Sequence, residues 1–396
     1  MNKPRPAVFI AVALVVALLS AVLAILIAAM HREAVPTAAK SEVSTETEAP
    51  APEPQPITIT IAASGDELPH SPVNRSALAY GGGSHYDYAP MFAEISPLLS
   101  DADLAICHLE TPLSKTNTNL SQPGKLVFNT PRELATGLKA AGYDACDFAS
   151  NHTMDQGITG LSETEEVMRA AGLGYAGPSA NPDRAGKPEL LAAGDAKVAH
   201  LAYTYTFPNS WGPNTDLPPD APWLKAASWP IQGSKGIIAQ AKAAKEAGAD
   251  FVVVSLHWGV EYQREPTAQQ RQLAKELLES PAVDLILGTH AHVVQPCEQI
   301  NGKHVIYGMG NSLSNQSPQV ISTLMPDTQD GMVALFTLTK APDGTVTTQM
   351  KYQPTFVNLS GHVVSQISPT TNAASWQRTL QAVESLGGCG ATPIYP

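Results

Sequence analysis

Basic residues are scarce in this 396-residue chain: 24 lysines and arginines stand against 36 aspartates and glutamates, for a net charge of -12. A nucleic-acid-binding face must neutralise phosphates with lysine and arginine, so no nucleic-acid partner is expected. Cysteine is sparse too. The four present, Cys107, Cys146, Cys297 and Cys389, form no CxxC pair, which argues against a thiolate zinc site. No internal repeat is visible. Polar side chains are missing from Ala7 to Met30 apart from Ser20, and a run of that length is enough to cross a hydrocarbon core of about 30 Å.

That run sets the expected topology. Lys3 and Arg5 precede it, whereas Arg32 is followed at once by Glu33. Residues 1–6 are therefore expected in the cytoplasm and the bulk of the chain outside, behind a single-pass membrane anchor over residues 7–30. A cleaved signal peptide is the alternative, with small residues near Ala28 and Ala29 as the cutting site. The run is longer than the roughly 7–15 apolar residues such peptides carry, which favours the uncleaved anchor. Residues 31–56, rich in Ala, Pro, Glu, Ser and Thr, lack the apolar content to offset their ordering entropy and read as a disordered stalk. Outside the membrane cysteines can pair. Cys107 and Cys146 sit in apolar strand candidates and read as buried free thiols, and a Cys297–Cys389 bridge could tie down the tail. Four cysteines allow three pairings, among which sequence does not choose.

From Ile57 onward strands and helices alternate. Ile57–Ile61 alternates in polarity and ends at Ser64-Gly65-Asp66, while Asp103–Cys107 leads into His108-Leu109-Glu110. Helical spacing over 131–141 and 160–171 brackets a short strand that runs into Asn151-His152. Residues 198–205 read as a strand entering a Pro- and Trp-rich segment, 207–230, of the kind that serves as a binding loop or as packed surface. Helices over 236–247 and 268–278 alternate with strands ending at His257, at Gly288 before His290 and His292, and at Asn311. A hairpin turning at Pro342–Gly344 and a last helix over 376–386 close the chain. The boundaries are 57–360 for one domain and 361–396 for a C-terminal helix and tail. Such alternation predicts an α/β fold with largely parallel central strands, whose ligands bind beyond the strands' carboxyl ends.

Six strand candidates end in groups able to bind a metal or phosphate: Asp66, Glu110, Asn151 with His152, His257, His290 with His292, and Asn311. Each alone has an ordinary explanation as a turn, a cap or a solvated charge. On an extended backbone His290 and His292 would face one space. Carboxylate, amide and imidazole without thiolate suit Mn, Fe or Zn in a hydrolytic site. The ligands outnumber those of one catalytic zinc, so one or two divalent metal ions are expected, two of them lying about 3.5–4 Å apart. A histidine left off the metals would serve as acid for a leaving group.

The ordered motifs Ser64-Gly65-Asp66, His108-Leu-Glu110-Thr-Pro-Leu113, Ser150-Asn151-His152-Thr-Met-Asp155, His257-Trp258-Gly259, Gly288-Thr-His290-Ala-His292 and Gly308-Met-Gly310-Asn311 resemble the bacterial capsule-synthesis protein CapA family. That family lies within the calcineurin-like metallophosphoesterase superfamily. The resemblance implies a metallophosphatase sandwich of two mixed β-sheets flanked by helices. It also implies metal ligands at Asp66, Glu110, Asn151, His257, His290 and His292, with His152 as the catalytic residue aiding leaving-group departure. Asp155 would orient a histidine, and Glu261 and Asn311 would lie around the ligands or against substrate. Two departures stand out. The superfamily's Asp-x-His is absent, so His70 is the substitute from the following loop, and His108 stands where the family carries asparagine.

The resemblance further implies work on a cell-envelope polymer or phosphoester, beside a capsule or poly-γ-glutamate synthase complex in the membrane. A hydrolase of phosphoester-like bonds, an enzyme cutting or transferring a γ-glutamyl amide, and a non-catalytic polymer-binding scaffold all fit. The deficit of basic residues disfavours a broad polyanion-binding face unless Lys125, Arg132, Arg264 and Arg271 form a local cluster that offsets it.

Overall fold

The computed structural model describes residues 55–396. The anchor expected over residues 7–30, and the linker expected over 31–56 up to residue 54, lie outside the described residues. Among the described residues no helix is long and apolar enough to cross a membrane.

The strands in chain order are β1 Ile57–Leu68, β2 Leu104–Leu109, β3 Leu113–Ser114, β4 Thr130–Pro131, β5 Ala145–Asp147, β6 Gly174–Ala176, β7 Glu189–Ala193, β8 Ala196–Thr204 and β9 Phe251–His257. They continue with β10 Leu285–Thr289, β11 Cys297–Ile300, β12 Lys303–Ile306, β13 Asn311–Ser314, β14 Asp330–Lys340, β15 Val346–Asn358, β16 Val363–Gln366 and β17 Thr392–Pro393. The helices are α1 Ser71–Tyr80, α2 Ala89–Phe92, α3 Ser96–Ser100, α4 Glu133–Ala141, α5 Gly157–Ala170, α6 Trp229–Glu246, α7 Ala268–Glu279 and α8 Ala373–Glu384.

Two sheets face each other. The first runs β16-β15-β14-β1-β2-β5-β6, with β13 beside β1 and β17 beside β15; the second runs β11-β12-β10-β9-β8-β7. In the first, β1, β2, β5 and β6 are parallel and the β14–β16 meander is antiparallel. In the second, β8, β9, β10 and β12 are parallel, with antiparallel edges at β7 and β11. The expected mixed two-sheet α/β sandwich is what the chain adopts.

Strand alternation explains the layering. Ile61 and Ile106 point between the sheets to meet Val253, Leu285 and Ile306 of the opposite sheet. Their neighbours Ala62, Ala105 and Cys107 point outward, under Val73 of α1, Leu134 and Leu138 of α4 and Met168 of α5. On the far side Val252, Val254 and Ile286 carry Ile237 of α6 and Leu277 of α7. Each strand is thus apolar on both faces, as a sheet covered on both sides requires. Capping is local and legible: Thr267 and Gln270 close a capping box at the start of α7, and Gly142 at φ 110° ends α4.

The disulfides correct one reading. Cys107 and Cys146 are not free thiols. They are register partners on adjacent parallel β2 and β5, with Cα atoms 4.4 Å apart, and are bonded to each other. Sequence shows two apolar strands but not that they lie side by side. Cys297 and Cys389 form the second bridge, the one tying the tail to β11. Strand β1 also departs from expectation, since it does not stop at Asp66. It runs on to Leu68 because β13 and β2 keep pairing with it past a register shift at Asp66. Helices α1 to α3 and the short edge strands β6, β7, β11 and β16 carry too little periodicity to be read from sequence.

The C-terminal segment belongs to the same compact unit, which spans Pro54–Pro396. Helix α8 is fastened by Arg378, whose guanidinium donates to Asp330 Oδ2 at 2.7 Å and to Oδ1 at 2.8 Å. The second disulfide closes a sequence separation of 92 residues around this region. Replacing Cys297 and Cys389 together by alanine is expected to lower unfolding free energy by roughly 2–4 kcal/mol. The readout is the urea midpoint under non-reducing conditions, and a midpoint equal to wild type would contradict the bridge.

Candidate metal centre

The carboxyl ends of β1, β2, β5, β8, β9 and β10 open onto one space. Asp66 reaches it from a bulge: the β1–β2 register shifts between Ala63 and Asp66, which re-aims the side chain. Gly65 makes the bulge possible, because a Cβ there would collide with the carbonyl oxygen of Gly310. That close approach lets the Asp66 amide donate to Gly310 at 3.0 Å. Gly288 has the same role in the second sheet, where a Cβ would strike the Tyr307 carbonyl.

His290 and His292 reach the space by a different route from the extended pairing that their spacing suggests. Strand β10 ends at Thr289, and the two histidines adopt positive φ of 93° and 55°. Left-handed backbone at two non-glycine residues is uncommon and costs on the order of 1–3 kcal/mol each, which surrounding contacts must hold. Here the His290 amide donates to Asp66 Oδ1 at 3.3 Å, and Tyr262, itself at φ 63°, donates its amide to Ala291 at 2.7 Å. The imidazoles face one centre with ring centroids 6.1 Å apart. The two histidines converge, but through a strained turn and not through strand pleating.

The ligating atoms assemble as overlapping groups. One each from Asp66, His108 and His257 lies within 4.8 Å of the others, and the same holds for Glu110, His257 and His290, for Asp66, Glu110 and His292, and for Glu261, His290 and His292. His292 Nδ1 is 3.0 Å from Asp66 Oδ2 and its Nε2 is 3.7 Å from Glu110 Oε1; His257 Nε2 is 3.5 Å from the same Glu110 oxygen. Asn151 Oδ1 lies 2.9 Å from His257 Nε2. Behind these groups sit orienting partners: Asp147 Oδ1 at 2.7 Å from His108 Nδ1, Thr289 Oγ1 at 3.1 Å from His257 Nδ1, and Asn311 Oδ1 at 3.1 Å from His292 Nδ1. Asn311 thus lies behind a ligand. His152 stands apart, its Nδ1 donating to Asp155 Oδ2 at 2.8 Å while that carboxylate also accepts from the Phe128 amide. His70 is not in any of the groups: its Nδ1 is 3.0 Å from the Leu68 carbonyl and its ring edge meets Phe128.

Several of these buried atoms lack a hydrogen-bond partner: both Glu110 oxygens, His108 Nε2 and His290 Nδ1. Buried polar groups are normally satisfied, and orphaned carboxylates are costly. One or two divalent cations would satisfy this donor set, so the residues fit the metal that the sequence pattern implies. The proton affinities say the same. Burial pushes Glu110 up to about 8, against the pull of His292. Burial opposes protonation of His292 and His108, yet Glu110 and Asp66 around the first and Asp147 beside the second override it, raising them to about 10 and about 9. Burial holds His257 and His290 well below the ordinary histidine value. Without a cation, protons supply the positive charge.

His108 and Asp147 were missed as site residues. His108 was detectable, since it lies two residues before Glu110 and so shares its side of β2. Asp147 was not, because only the β2–β5 register brings it to His108. Of the Pro- and Trp-rich segment, Asn209 to Pro213 line a cavity, whereas residues 222–227 coil into a 3-10 turn. That cavity, about 430 Å³, opens above the cluster and is also lined by His152, Tyr205, Glu261, Tyr262, His290 and His292.

A two-sheet α/β sandwich with a buried carboxylate–imidazole cluster at its carboxyl edge defines a protein with a candidate divalent-metal site. The chain matches the bacterial capsule synthesis protein PGA_cap family over residues 60–316, and it belongs to that family. It is 29% identical over 238 residues to the capsule biosynthesis protein CapA of Bacillus anthracis, covering 57% of this chain and 54% of that one. To the PGA biosynthesis protein CapA of Bacillus subtilis (strain 168) it is 27% identical over 231 residues, covering 57% of each. The chain spans about half the length of the curated relatives it matches. Among solved structures, the calcineurin-like phosphoesterase YfkN from Bacillus subtilis aligns at a TM-score of 0.40 with 14% identity, covering 83% of this chain and 99% of that one.

The buried cluster yields a pH prediction. A carboxyl whose folded value rises from 4.5 to about 8 stabilises the fold only while protonated, so the metal-stripped protein loses that contribution as pH climbs through this window. Glu110→Gln removes this group's share of the dependence. Thermal unfolding of stripped protein at about pH 9 should show the variant melting above wild type, while its bound metal, measured by mass spectrometry, falls. A variant that melts lower or keeps full metal content would remove Glu110 from the centre.

Proposed function

We propose that this chain is a membrane-anchored, extracytoplasmic protein of capsule or poly-γ-glutamate assembly that acts as a metal-dependent hydrolase of phosphoester-like bonds on envelope material. Family membership and the relatives' names support the setting, and the apolar run at Ala7–Met30 supports the anchor. A synthase complex in the same membrane is its partner in this reading. The observation that carries the enzymatic part is the juxtaposition of two parts. One is the unsatisfied ligand cluster; the other is His152, held off the cluster on the same cavity wall and paired behind with Asp155.

Asp66, His108, Glu110, Asn151, His257, His290 and His292 would hold the ions. Bound divalent ions supply Lewis acidity to an ester oxygen and lower the pKa of a water. The chain's own residues do the rest. Asp155 fixes His152 with Nδ1–H toward the carboxylate, which leaves Nε2 as the nitrogen for the cavity. Water adds at phosphorus, the ester bond breaks, and the departing oxygen takes its proton from His152 Nε2. Phe128 packs edge-on against the His152 ring at 4.5 Å and donates its amide to Asp155, holding the pair in place. Tyr205 stacks on His257 and packs at a tilt against His290, on one side of the centre.

His152→Ala should lower kcat for a phosphodiester such as bis(p-nitrophenyl) phosphate by about 10²–10⁴-fold with metal content unchanged. Asp155→Asn should give a smaller loss in kcat at similar KM. Metal retained with no turnover of any phosphoester or of poly-γ-glutamate by the wild-type chain would leave a polymer-binding scaffold in place of an enzyme.

A further inference from the structure

The opening above the cluster has an unexpected lining for a protein of polyanion assembly. None of the lining residues is lysine or arginine. Of the cations that sequence put forward for such a face, Arg264 is paired with Asp327, Arg271 with Glu298 and Arg132 with Glu133, and Lys125 is not among the lining residues either. The lining carries a negative group instead, Glu261, beside His290 and His292. What surrounds the opening is apolar: Trp211 is 94% exposed, Leu126 66% and Val260 49%. Single exposed apolar side chains need no explanation, but three around one cavity mark a recognition surface. Asn209 stands two residues before Trp211. Its Oδ1 accepts from Asn151 at 3.1 Å, which leaves its amide N–H groups for a ligand.

We infer that the substrate lays an uncharged sugar ring on this rim, stacked on Trp211, and directs the anionic ester group it carries into the cluster below. This rests on the hydrolase reading and names its substrate class. A pyranose ring offers a flat C–H face to an indole and hydroxyls to an amide and a carboxylate, which is the set that Trp211, Asn209 and Glu261 present. A run of bare poly-γ-glutamate carries a charge at each unit and needs fixed cations along its path, which this lining does not hold. An acyl chain would leave Asn209 and Glu261 desolvated without partners. The chain therefore serves polymer assembly through a glycan-borne ester and not by gripping the polymer itself.

Calorimetric titration of the Mn²⁺-loaded full chain tests this with three probes: glucose 1-phosphate, glycerol 1-phosphate and poly-γ-glutamate. The first two share the phosphate and differ in the ring. Glucose 1-phosphate should bind roughly five- to tenfold tighter than glycerol 1-phosphate, the amount one aromatic stack supplies. Trp211→Ala should reduce that ratio to nearly one and Trp211→Tyr should restore most of it; thermal unfolding checks that both variants fold. Equal affinity for the two phosphates, no binding of glucose 1-phosphate, a ratio that survives Trp211→Ala, or tighter and steeply salt-dependent binding of poly-γ-glutamate each overturns the inference. Hydrolysis is scored separately. A ring preference without turnover of either ester keeps this inference and removes the hydrolase reading; turnover without a ring preference does the reverse.

Discussion

Three carboxylates, four imidazoles and one amide cannot be packed into a dry interior without positive charge to hold them. Asp66 and Glu110 are fully buried, and neither Glu110 oxygen has a hydrogen-bond partner. Asp147 behind His108 adds a third buried negative group. Leaving such groups unpaired costs several kcal/mol each in a low-dielectric interior, far more than a marginally stable domain can spare repeatedly. The rest of the site depends on that constraint: it has meaning as a cation-binding centre, and without a cation only shared protons keep it tolerable.

The architecture supplies what the cluster needs, two stiff sheets whose parallel strands end on one side. Asp66 and Glu110 come from the first sheet, His257, His290 and His292 from the second, so the ligand set exists only where the sheets are registered against each other. The shared apolar layer, with Ile61, Ile106, Val253 and Leu285 interlocked, sets that registration. Backbone irregularity provides the final aim. The bulge at Asp66 and the left-handed turn at His290 and His292 are both unfavourable in isolation and are held by close glycine contacts at Gly65 and Gly288. The Cys107–Cys146 bridge lies one residue before His108 and Asp147, and so clamps the two strands whose next residues form that pair.

Above the centre the chemistry changes from charged to apolar and neutral. The inner wall carries histidines and carboxylates able to hold a cation, while the rim is lined by the exposed apolar side chains of Trp211, Leu126 and Val260. Separating the two by depth is physically economical. Charged groups sit deep, where burial strengthens electrostatics, and apolar ones sit at the mouth of the cavity.

Sequence by itself determined a great deal here. Alternating strand and helix patterns specify an α/β sandwich because period-2 and period-3.6 hydrophobicity are local properties. The same patterns mark strand ends, and the side chains at those ends, Asp66, Glu110, Asn151, His257, His290 and His292, are legible as one ligand set because parallel strands deliver them to one edge. Tertiary structure alone decided the remainder. The Cys107–Cys146 pairing and the Asp147 partner of His108 depend on which strands are neighbours. The positive-φ turn of His290 and His292 depends on contacts with Asp66 and Tyr262 from distant parts of the chain. The pairing of Arg264 with Asp327 and of Arg271 with Glu298 joins residues far apart in the chain. Periodicity encodes which face of an element is buried, but register and pairing arise only between elements, from packing that no single stretch contains.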